Sequence, residues 1–504
     1  MRRRTFIRST FAAAAAVSLP TRSLRGAVFQ PARRQQLPPD VDAVTGDGRP
    51  VTLKGSAIRE LAGRLRGRIL LAGDGGYDDA RRILNPSFDK HPALIAQVTG
   101  TADVRTAVDF ARDNGGLLLA VKCGGHSASG QSTCDRGMVI DLSLFRSVRV
   151  DPIARRAHVT GGSLLGAVDH EAMAYDLVTP LGTVSHTGVG GLVTGGGFGR
   201  LARRFGLSVD NLIAVDVVTA DGQFRRASAE ENPDLFWGVR GGGGNFGIVT
   251  SFEFRLHPMQ RQVVGGQILF PIARARDVLN LYGELGPAAP DQLQLDCLNV
   301  IPPGGGPAMS GFGVCWSGSA NDAERALAPI RRLGTPVVDT LAAMDYVALQ
   351  RSGDITDPRA QGQYVKSGFI PSLPPALVAA IVDRLEGHPQ RSTILAFQHG
   401  GGAIGRVTPA ATAFAQRDVQ ANMLCFVNWP QGSDPAAHIA WIRQFWAGLE
   451  PFTHGFYVND VEADMATAAI RENYRQNHDR LVAVKNRYDP ENLFRLNANV
   501  QPTV

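Results

Sequence analysis

The sequence predicts an α+β protein with at least two domains. Its 504 residues are more than one hydrophobic core usually organises. Residues 93–143 alternate between apolar strands and an amphipathic helix, which is the pattern of a β-α-β unit. After about residue 262 glycine becomes less frequent, and helices such as 376–387 alternate with apolar strands such as 421–429. These observations predict an α/β part followed by a second domain.

The first 27 residues have the order of parts typical of an export signal. Arg3 and Arg4 precede an apolar stretch, Phe11 to Leu19, that is too short to span a bilayer. We therefore expect twin-arginine (Tat) export, with the Tat machinery as a partner, to a periplasmic or extracellular location. A frayed basic tail is the alternative. Residues 28–45 have the composition of a linker.

The export segment also explains the net charge. It holds six arginines and no acidic residue, so its removal lowers the formal charge from +6 to 0. The remainder shows no global preference for nucleic acid or membranes, and we expect no stable membrane span. The five cysteines lack zinc-ligand spacing, which argues against a structural metal. The sequence leaves open whether Cys123 and Cys134 pair.

The elements of the first half can be placed in order. They are a strand at 93–99, a helix capped by Thr101 or Asp103 and ending at Asn114, strands at 116–123 and 138–143, a helix capped by Ser163, a hairpin through Asp221-Gly222, a helix beginning at Pro233, and a strand with Phe252 and Phe254 on one face. The loop at 121–130 begins where a strand ends, which is where α/β folds bind ligands.

Near the end of the chain, seven residues have the spacing of one helix face. They are Ala466, Ile470, Tyr474, Asn477, Leu481, Val484 and Tyr488. Asp489-Pro490 then restarts the chain as a cap followed by a first-turn proline. We therefore expect one long helix up to Tyr488.

Glycines cluster in three stretches, at 124–130, 188–199 and 241–247. Backbone without side chains lets a phosphate approach closely, and consecutive N–H groups then form an anion-binding nest. Three such stretches in one domain favour a large ligand with a pyrophosphate and a flat ring over three crowded turns. The Rossmann spacing of a strand, glycines and a distant acidic residue is not met, and the P-loop Gly-Lys-Ser/Thr pattern is missing.

Four stretches carry a specific resemblance. They are VKCGGHSASGQSTCDRGMVIDLS, HTGVGGLVTGGGFGRLARRFGLSVDNL, NPDLFWGVRGGGGNFGIVTSFEFRLHP and the terminal RLVAVKNRYDPENLFRLNANV. They resemble FAD-linked oxidases of the vanillyl-alcohol-oxidase superfamily, and the terminal stretch resembles the berberine-bridge-enzyme branch. The resemblance covers roughly residues 85–260 and 398–504.

The resemblance implies a domain plan. A PCMH-type FAD-binding domain of two α/β subdomains would span 46–262, with its core at about 88–260. A substrate-binding domain, with an antiparallel sheet backed by helices, would span 263–485. Residues 486–504 would return to the FAD domain.

The resemblance also implies how FAD is held. In this family the histidine of the Gly-Gly-His loop is bonded to the 8-methyl carbon of the flavin, and His126 stands there. Some members attach the flavin a second time through a cysteine near the position of Val184; no cysteine lies between Cys134 and Cys297 here, so a single attachment is expected. Cys123 is expected to be a small packing residue. The other expected cofactor-binding residues are Lys122, Gly124, Gly125, Ser127, Gly130, Gln131, Thr187, Gly188, Gly190, Gly191, Gly195, Gly196, Gly197, Gly199, Asn245, Gly247, Ile248 and Asn499.

The proton acceptor is predicted to come from the second domain. The resemblance points to two places, Gln398-His399 and the stretch with Tyr457, Asn459 and Asp460, where many relatives carry tyrosine at the position of Asp460. On an extended strand Tyr457 and Asn459 would share a face opposite Asp460. Tyr457 is slightly favoured as the base, with Asp460 and His399 as the other candidates; packing roles for Tyr457 and His399 stay open.

These inferences predict an exported FAD-dependent oxidoreductase. It would oxidise a C–OH or C–NH group of a small metabolite by hydride transfer to the flavin, with O2 as the electron acceptor. A dehydrogenase that uses a quinone or a protein acceptor is one alternative. A flavin-binding protein that has lost its base is the other, and Asp460 in place of tyrosine supports it.

Overall fold

The computed structural model of the protein describes residues 37–354, 361–388, 392–462 and 467–504. The predicted export segment and most of the predicted linker lie outside these residues. The end of that linker is wrongly placed, because Val41–Val44 form a strand that pairs with Pro50–Leu53. Across the described ranges, no helix combines the length and apolar character needed to cross a bilayer.

The first part of the chain forms a four-stranded, mostly parallel sheet. Its elements and the preceding hairpin are β1 (Val41–Val44), β2 (Pro50–Leu53), α1 (Gly55–Arg64), β3 (Arg68–Leu70), α2 (Tyr77–Arg81), β4 (Leu94–Gln97), α3 (Thr101–Asp113), β5 (Leu119–Lys122) and β6 (Met138–Asp141). The sheet order is β3-β4-β6-β5, with β6 parallel to both β4 and β5. The predicted β-α-β unit is therefore confirmed. The carboxyl end of β5 delivers the chain into the 123–130 loop.

The next part forms a five-stranded antiparallel sheet in the order β11-β10-β12-β8-β7. The predicted hairpin through Asp221-Gly222 and the helix beginning at Pro233 are confirmed. The helix that was expected to be capped by Ser163 begins at Leu165, and its N-cap residue is Leu164. The elements are β7 (Val148–Asp151), β8 (Arg156–Thr160), α4 (Leu165–Met173), β9 (Leu177–Val178), α5 (Val189–Thr194), α6 (Ala202–Phe205), β10 (Leu212–Val218), β11 (Phe224–Ser228), α7 (Pro233–Val239), β12 (Ile248–Arg255) and β13 (His257–Pro258).

A large antiparallel sheet begins at Gln262, the predicted boundary of the second domain, and helices cover one of its faces. Its order is β17-β14-β16-β15-β20-β21-β19, and β18 also pairs with β14. The elements are β14 (Gln262–Pro271), α8 (Ala275–Ala288), β15 (Leu293–Ile301), β16 (Met309–Trp316), α9 (Ala320–Arg331), β17 (Val338–Asp339), β18 (Ala342–Asp345), α10 (Tyr346–Arg351), β19 (Gln361–Ile370), α11 (Pro375–Val382), β20 (Thr393–His399), α12 (Ala403–Arg406), β21 (Ala421–Pro430) and α13 (Ala436–Ala447).

The predicted long helix near the end is wrong in its continuity. The chain forms α14 (Thr467–Tyr474) and α15 (His478–Tyr488), and Arg475 between them has a φ of +47°, which no α-helix accommodates. Ala466 lies outside the described residues. Ile470 and Leu481 are nevertheless buried together against the core of the first domain. The return to that domain therefore begins before residue 486, the predicted boundary.

Candidate active site

A cavity of about 450 Å³ lies between the glycine loops of the first domain and one face of the large sheet. The first domain contributes residues from the 123–132, 182–191 and 243–249 loops. The large sheet contributes Gln363, Gln398 and Phe426, and the segment at 457–461 closes that side. Residues from both domains and from the chain terminus at 494–498 therefore enclose one space.

Gly124 and Gly188 let two of the glycine loops touch. A Cβ on either glycine would collide with the backbone nitrogen of the other. Cys123 is a free thiol that packs against Gly188, and burial raises its pKa to about 11. The thiol is thus protonated at neutral pH, consistent with a packing role. Cys134 is also free.

His126 sits where these loops meet. Its Nε2 lies 2.6 Å from Nδ1 of His186, and its Nδ1 lies 3.3 Å from Oγ1 of Thr187. Burial, followed by the neighbouring His186, lowers the pKa of His126 to about 4, while Asp354 opposes the shift. His126 is therefore a neutral imidazole at pH 7, with a lone pair on one nitrogen.

Most of the residues expected to hold FAD line the cavity. They are Gly124, Gly125, His126, Ser127, Gln131, Thr187, Gly188, Gly190, Gly191, Gly247 and Ile248.

Lys122 and Gly130 do not line this cavity. The Lys122 ammonium donates to the Ala80 carbonyl and lies 3.5 Å from the Asp141 carboxylate. These contacts join β5 to α2 and β6 beneath the loop. Gly130 backs onto the ring of Phe88.

Four further glycines of the second cluster serve packing instead of lining the cavity. A Cβ at Gly195 would collide with Asn459, one at Gly197 with Ser208, and one at Gly199 with the Leu181 carbonyl. Gly196, with a φ of +135°, lies against Phe414 and Tyr457. These glycines let the 457–461 segment and the neighbouring loops approach the backbone closely.

Asn245 and Asn499 do not line the cavity. Asn245 holds the terminal segment in place, and Asn499 is part of that segment. The Asn245 side chain donates to the Ala498 carbonyl at 3.0 Å and accepts from the Val500 N–H at 2.9 Å. Asn499 is half-buried, and its Oδ1 has no partner within the described part of the protein.

The lining fits a cofactor such as FAD. Ser132 Oγ and Asn497 Oδ1 are buried, line the cavity and have no hydrogen-bond partner within the described residues, so they can bond a polar ligand. A Cβ at Gly191 or Gly243 would meet nothing within 4 Å, which leaves their backbone open to a close approach. No lysine or arginine is among the described lining residues, so a pyrophosphate would depend on backbone N–H groups.

The segment carrying the predicted base is a 3-10 turn, not an extended strand. Val458–Asp460 form this turn, so Tyr457, Asn459 and Asp460 all reach the cavity, and the predicted alternation of faces is wrong. The Tyr457 hydroxyl oxygen accepts from the Gly197 N–H at 2.8 Å and from Asn459 Nδ2 at 2.7 Å. Burial, followed by the charge of Asp460, raises the pKa of Tyr457 above its ordinary value. A buried phenol with this pKa is a poor base at neutral pH.

Asp460 has the properties of a base. Burial raises its pKa to about 7, with a hydrogen bond from Asn422 opposing the shift. Asn422 Nδ2 lies 3.4 Å from the Asp460 carboxylate and donates to Gln398 Oε1 at 2.8 Å. Asp460 is the one carboxylate among the described lining residues. The role of Asn422 was not predicted, because its contact with Asp460 joins residues 38 positions apart.

His399 does not line the cavity, contrary to its selection as a candidate base. It is fully buried; Nδ1 accepts from the Leu295 N–H at 3.2 Å, so Nε2 carries the proton and donates to the Gly286 carbonyl at 3.0 Å. Burial lowers its pKa to about 3. Because side chains alternate along a strand, Gln398 takes the cavity face instead.

Comparison with known proteins agrees with this site. An "FAD binding domain" family matches residues 92–228, and a "Berberine and berberine like" family matches residues 456–501. An FAD-linked oxidoreductase of Dictyostelium discoideum is 30% identical over 88% of this chain and 97% of its own length. The (R)-6-hydroxynicotine oxidase of Paenarthrobacter nicotinovorans is 31% identical over 87% of this chain and 97% of its own.

Solved structures of related oxidases share this fold. The crystal structure of 6-hydroxy-D-nicotine oxidase from Arthrobacter nicotinovorans superimposes with a TM-score of 0.78 at 29% identity, covering 87% of this chain and 98% of that one. A chitooligosaccharide oxidase, 24% identical, shares the fold with a TM-score of 0.80 over 89% of this chain and 100% of its own. The chain is therefore an FAD-linked oxidoreductase and belongs to the berberine-bridge-enzyme-like family of the vanillyl-alcohol-oxidase superfamily.

Proposed function

We propose that the protein oxidises a C–OH or C–NH group of a small neutral molecule, with Asp460 taking up the proton. The observation that carries this proposal is the position of Asp460, whose pKa of about 7 lets it accept a proton near neutral pH. When bound, FAD supplies the acceptor for the hydride. With no lysine or arginine among the described lining residues, a carboxylate substrate would have no cation to pair with.

The other residues of this wall hold the substrate and the base. Gln398 and Asn422 form one hydrogen-bonded pair, so the amide of Asn422 is oriented toward the Asp460 carboxylate. Phe426 adds an apolar surface beside them. Asn459 donates to both the Leu192 carbonyl and Tyr457, which ties the turn to the first domain. This arrangement fixes Asp460 opposite the glycine loops.

The substrate test uses a panel of small alcohols and amines that includes 6-hydroxynicotine and xylooligosaccharides, the compounds named for two relatives. Under anaerobic conditions a substrate should bleach the yellow flavin, and air should restore the colour with formation of hydrogen peroxide. Bleaching that air leaves unchanged, and that a quinone reverses, would identify a dehydrogenase. No bleaching by any member would favour a flavin-binding protein without this activity.

Replacing His126 should abolish covalent retention of the flavin. We propose that FAD is attached once, through His126, so the wild-type protein should stay yellow after acid precipitation and show the FAD adduct by intact mass. His126→Ala should show the apoprotein mass. His158→Ala, the same change at an exposed histidine of β8, is the matched control and should keep the adduct. An apoprotein mass for wild type from flavin-replete cells would contradict the attachment.

Tyr457→Phe should have a small effect on flavin reduction. The variant keeps the ring that packs between Phe198 and Phe369 and loses the oxygen that accepts from Gly197 and Asn459. We expect anaerobic stopped-flow reduction within about tenfold of wild type, below the usual worth of a proton acceptor. Slowing of 100-fold or more would assign the proton to Tyr457.

Twin-arginine export stays a prediction from residues 1–27, which lie outside the described residues.

A further inference from the structure

His186 lies against the predicted attachment residue in a loop that is held on both sides. Its ring and that of His126 have centroids 4.7 Å apart and an interplanar angle of 44°. The Ser185 N–H and hydroxyl both donate to the Asp354 carboxylate, at 2.8 and 2.6 Å. The Thr187 carbonyl accepts from the Leu165 N–H at 3.0 Å. The 185–187 turn is therefore fixed by the second domain and by α4.

Two ring nitrogens that lie 2.6 Å apart share one proton, because two lone pairs or two N–H groups at this distance would repel each other. If Nε2 of His126 carries that proton, it donates to Nδ1 of His186, and Nδ1 of His126 keeps its lone pair, with the Thr187 hydroxyl 3.3 Å away. A histidine whose second nitrogen is bonded to a fixed acceptor is held in one tautomer and one orientation, as in metal sites and catalytic triads.

We propose that His186 fixes this tautomer of His126 and takes its Nε2 proton when Nδ1 bonds to the flavin methyl carbon. This inference rests on the proposed attachment through His126. In this step one C–H bond of the methyl group breaks, a C–N bond forms, and the imidazole loses one proton. The methyl proton and the two electrons pass to the flavin ring, while the imidazole proton passes to His186. Dioxygen then takes up the two electrons and both protons and forms hydrogen peroxide.

The low pKa of His126 is compatible with this role. Burial and His186 keep the imidazole neutral at pH 7, so Nδ1 can act as a nucleophile without first losing a proton. As the new bond forms, His126 becomes acidic at Nε2, and His186 is the group within hydrogen-bond distance to receive that proton. Asp354, which favours positive charge at His126, would offset part of the cost of that charge.

The test measures the rate of attachment directly. Apoprotein from riboflavin-starved cells is mixed with FAD in air, samples are denatured in acid, and the fraction with the adduct mass is followed. His186→Gln, which can hold a hydrogen bond but cannot take up the proton, should slow attachment by about 100-fold, the usual worth of an acid–base group. His186→Ala should be slowed similarly, and added imidazole should restore part of its rate. Non-covalent binding of FAD, measured by flavin fluorescence, should stay close to wild type.

His158→Gln, the same change at an exposed histidine of β8 that does not line the cavity, is the matched control and should attach FAD at the wild-type rate. Attachment at the wild-type rate in both His186 variants would overturn the role of His186 and leave the attachment itself intact. A wild-type protein that never gains the adduct would contradict the attachment through His126 and, with it, this inference. Failure of imidazole to help His186→Ala would contradict proton transfer.

Discussion

Asp460→Asn should slow reduction of the flavin by substrate by about 10²–10⁴-fold, the range for a positioned acid–base group. The substitution keeps the shape of the side chain and removes the proton acceptor. FAD should still bind, because the expected FAD-binding residues that line the cavity all lie in the first domain. Anaerobic stopped-flow spectroscopy with a substrate from the panel measures the effect. An unchanged rate would exclude Asp460 as the base.

The pH profile gives a second measure of the same role. Because burial raises the pKa of Asp460 to about 7, the carboxylate is protonated below that pH and available above it. The wild-type rate should therefore rise through pH 7 and then level off, and the Asp460→Asn profile should lack this rise. Glu462→Gln is the matched control: Glu462 pairs with Lys366 at 2.6 Å and does not line the cavity, so the wild-type rate and profile should persist.

Lys485→Met should destabilise the protein by about 3–5 kcal/mol, the usual cost of removing one partner of a buried ion pair. Lys485 is fully buried and donates to the Asp489 carboxylate at 2.6 Å and to the Asn245 and Phe494 carbonyls at 3.0 Å each. Methionine fills similar volume but leaves Asp489 buried without its cation. The urea-unfolding midpoint, followed by tryptophan fluorescence, should fall, and flavin binding should weaken because Phe494 lines the cavity.

An exposed pair provides the control for this loss. Arg276 lies 3.5 Å from Asp383, and both side chains are about half exposed or more, so Arg276→Met should change stability by less than about 1 kcal/mol. Adding Asp489→Leu to Lys485→Met should recover part of the loss, since no buried charge is then left alone. An unchanged midpoint in Lys485→Met would show that the pair contributes nothing to holding the terminal segment.

Patterns local in sequence predicted much of the architecture. The β-α-β unit, the hairpin at Asp221-Gly222 and the start of α7 depend on periodicity and turn residues, and the structure has all three. The glycine clusters predicted where a ligand would approach, but they could not separate Gly191, which is open to the cavity, from Gly199, which lies against a carbonyl. That distinction depends on which chain segment packs behind each glycine.

The cavity wall that holds Asp460 depends on contacts that a single sequence does not show. Strand alternation requires that only one of Gln398 and His399 faces the cavity, and the packing of α8 under the sheet decides which one. The turn at 458–460 brings Asp460 beside Asn422, although an extended strand was expected. His186 was overlooked because its importance comes from a tertiary contact with His126.

The way the terminal segment closes the cavity sets an order of events during biosynthesis. Phe494 and Ala498 form part of the wall, and Asn245, about 250 residues earlier in the chain, donates a hydrogen bond to the Ala498 carbonyl. Residues 494–498 leave the ribosome long after the glycine loops have been made. Until those residues have been made, the cavity lacks this part of its wall. The cofactor can be enclosed only after synthesis has passed residue 498, so its capture reports that the chain has been made and folded to that point.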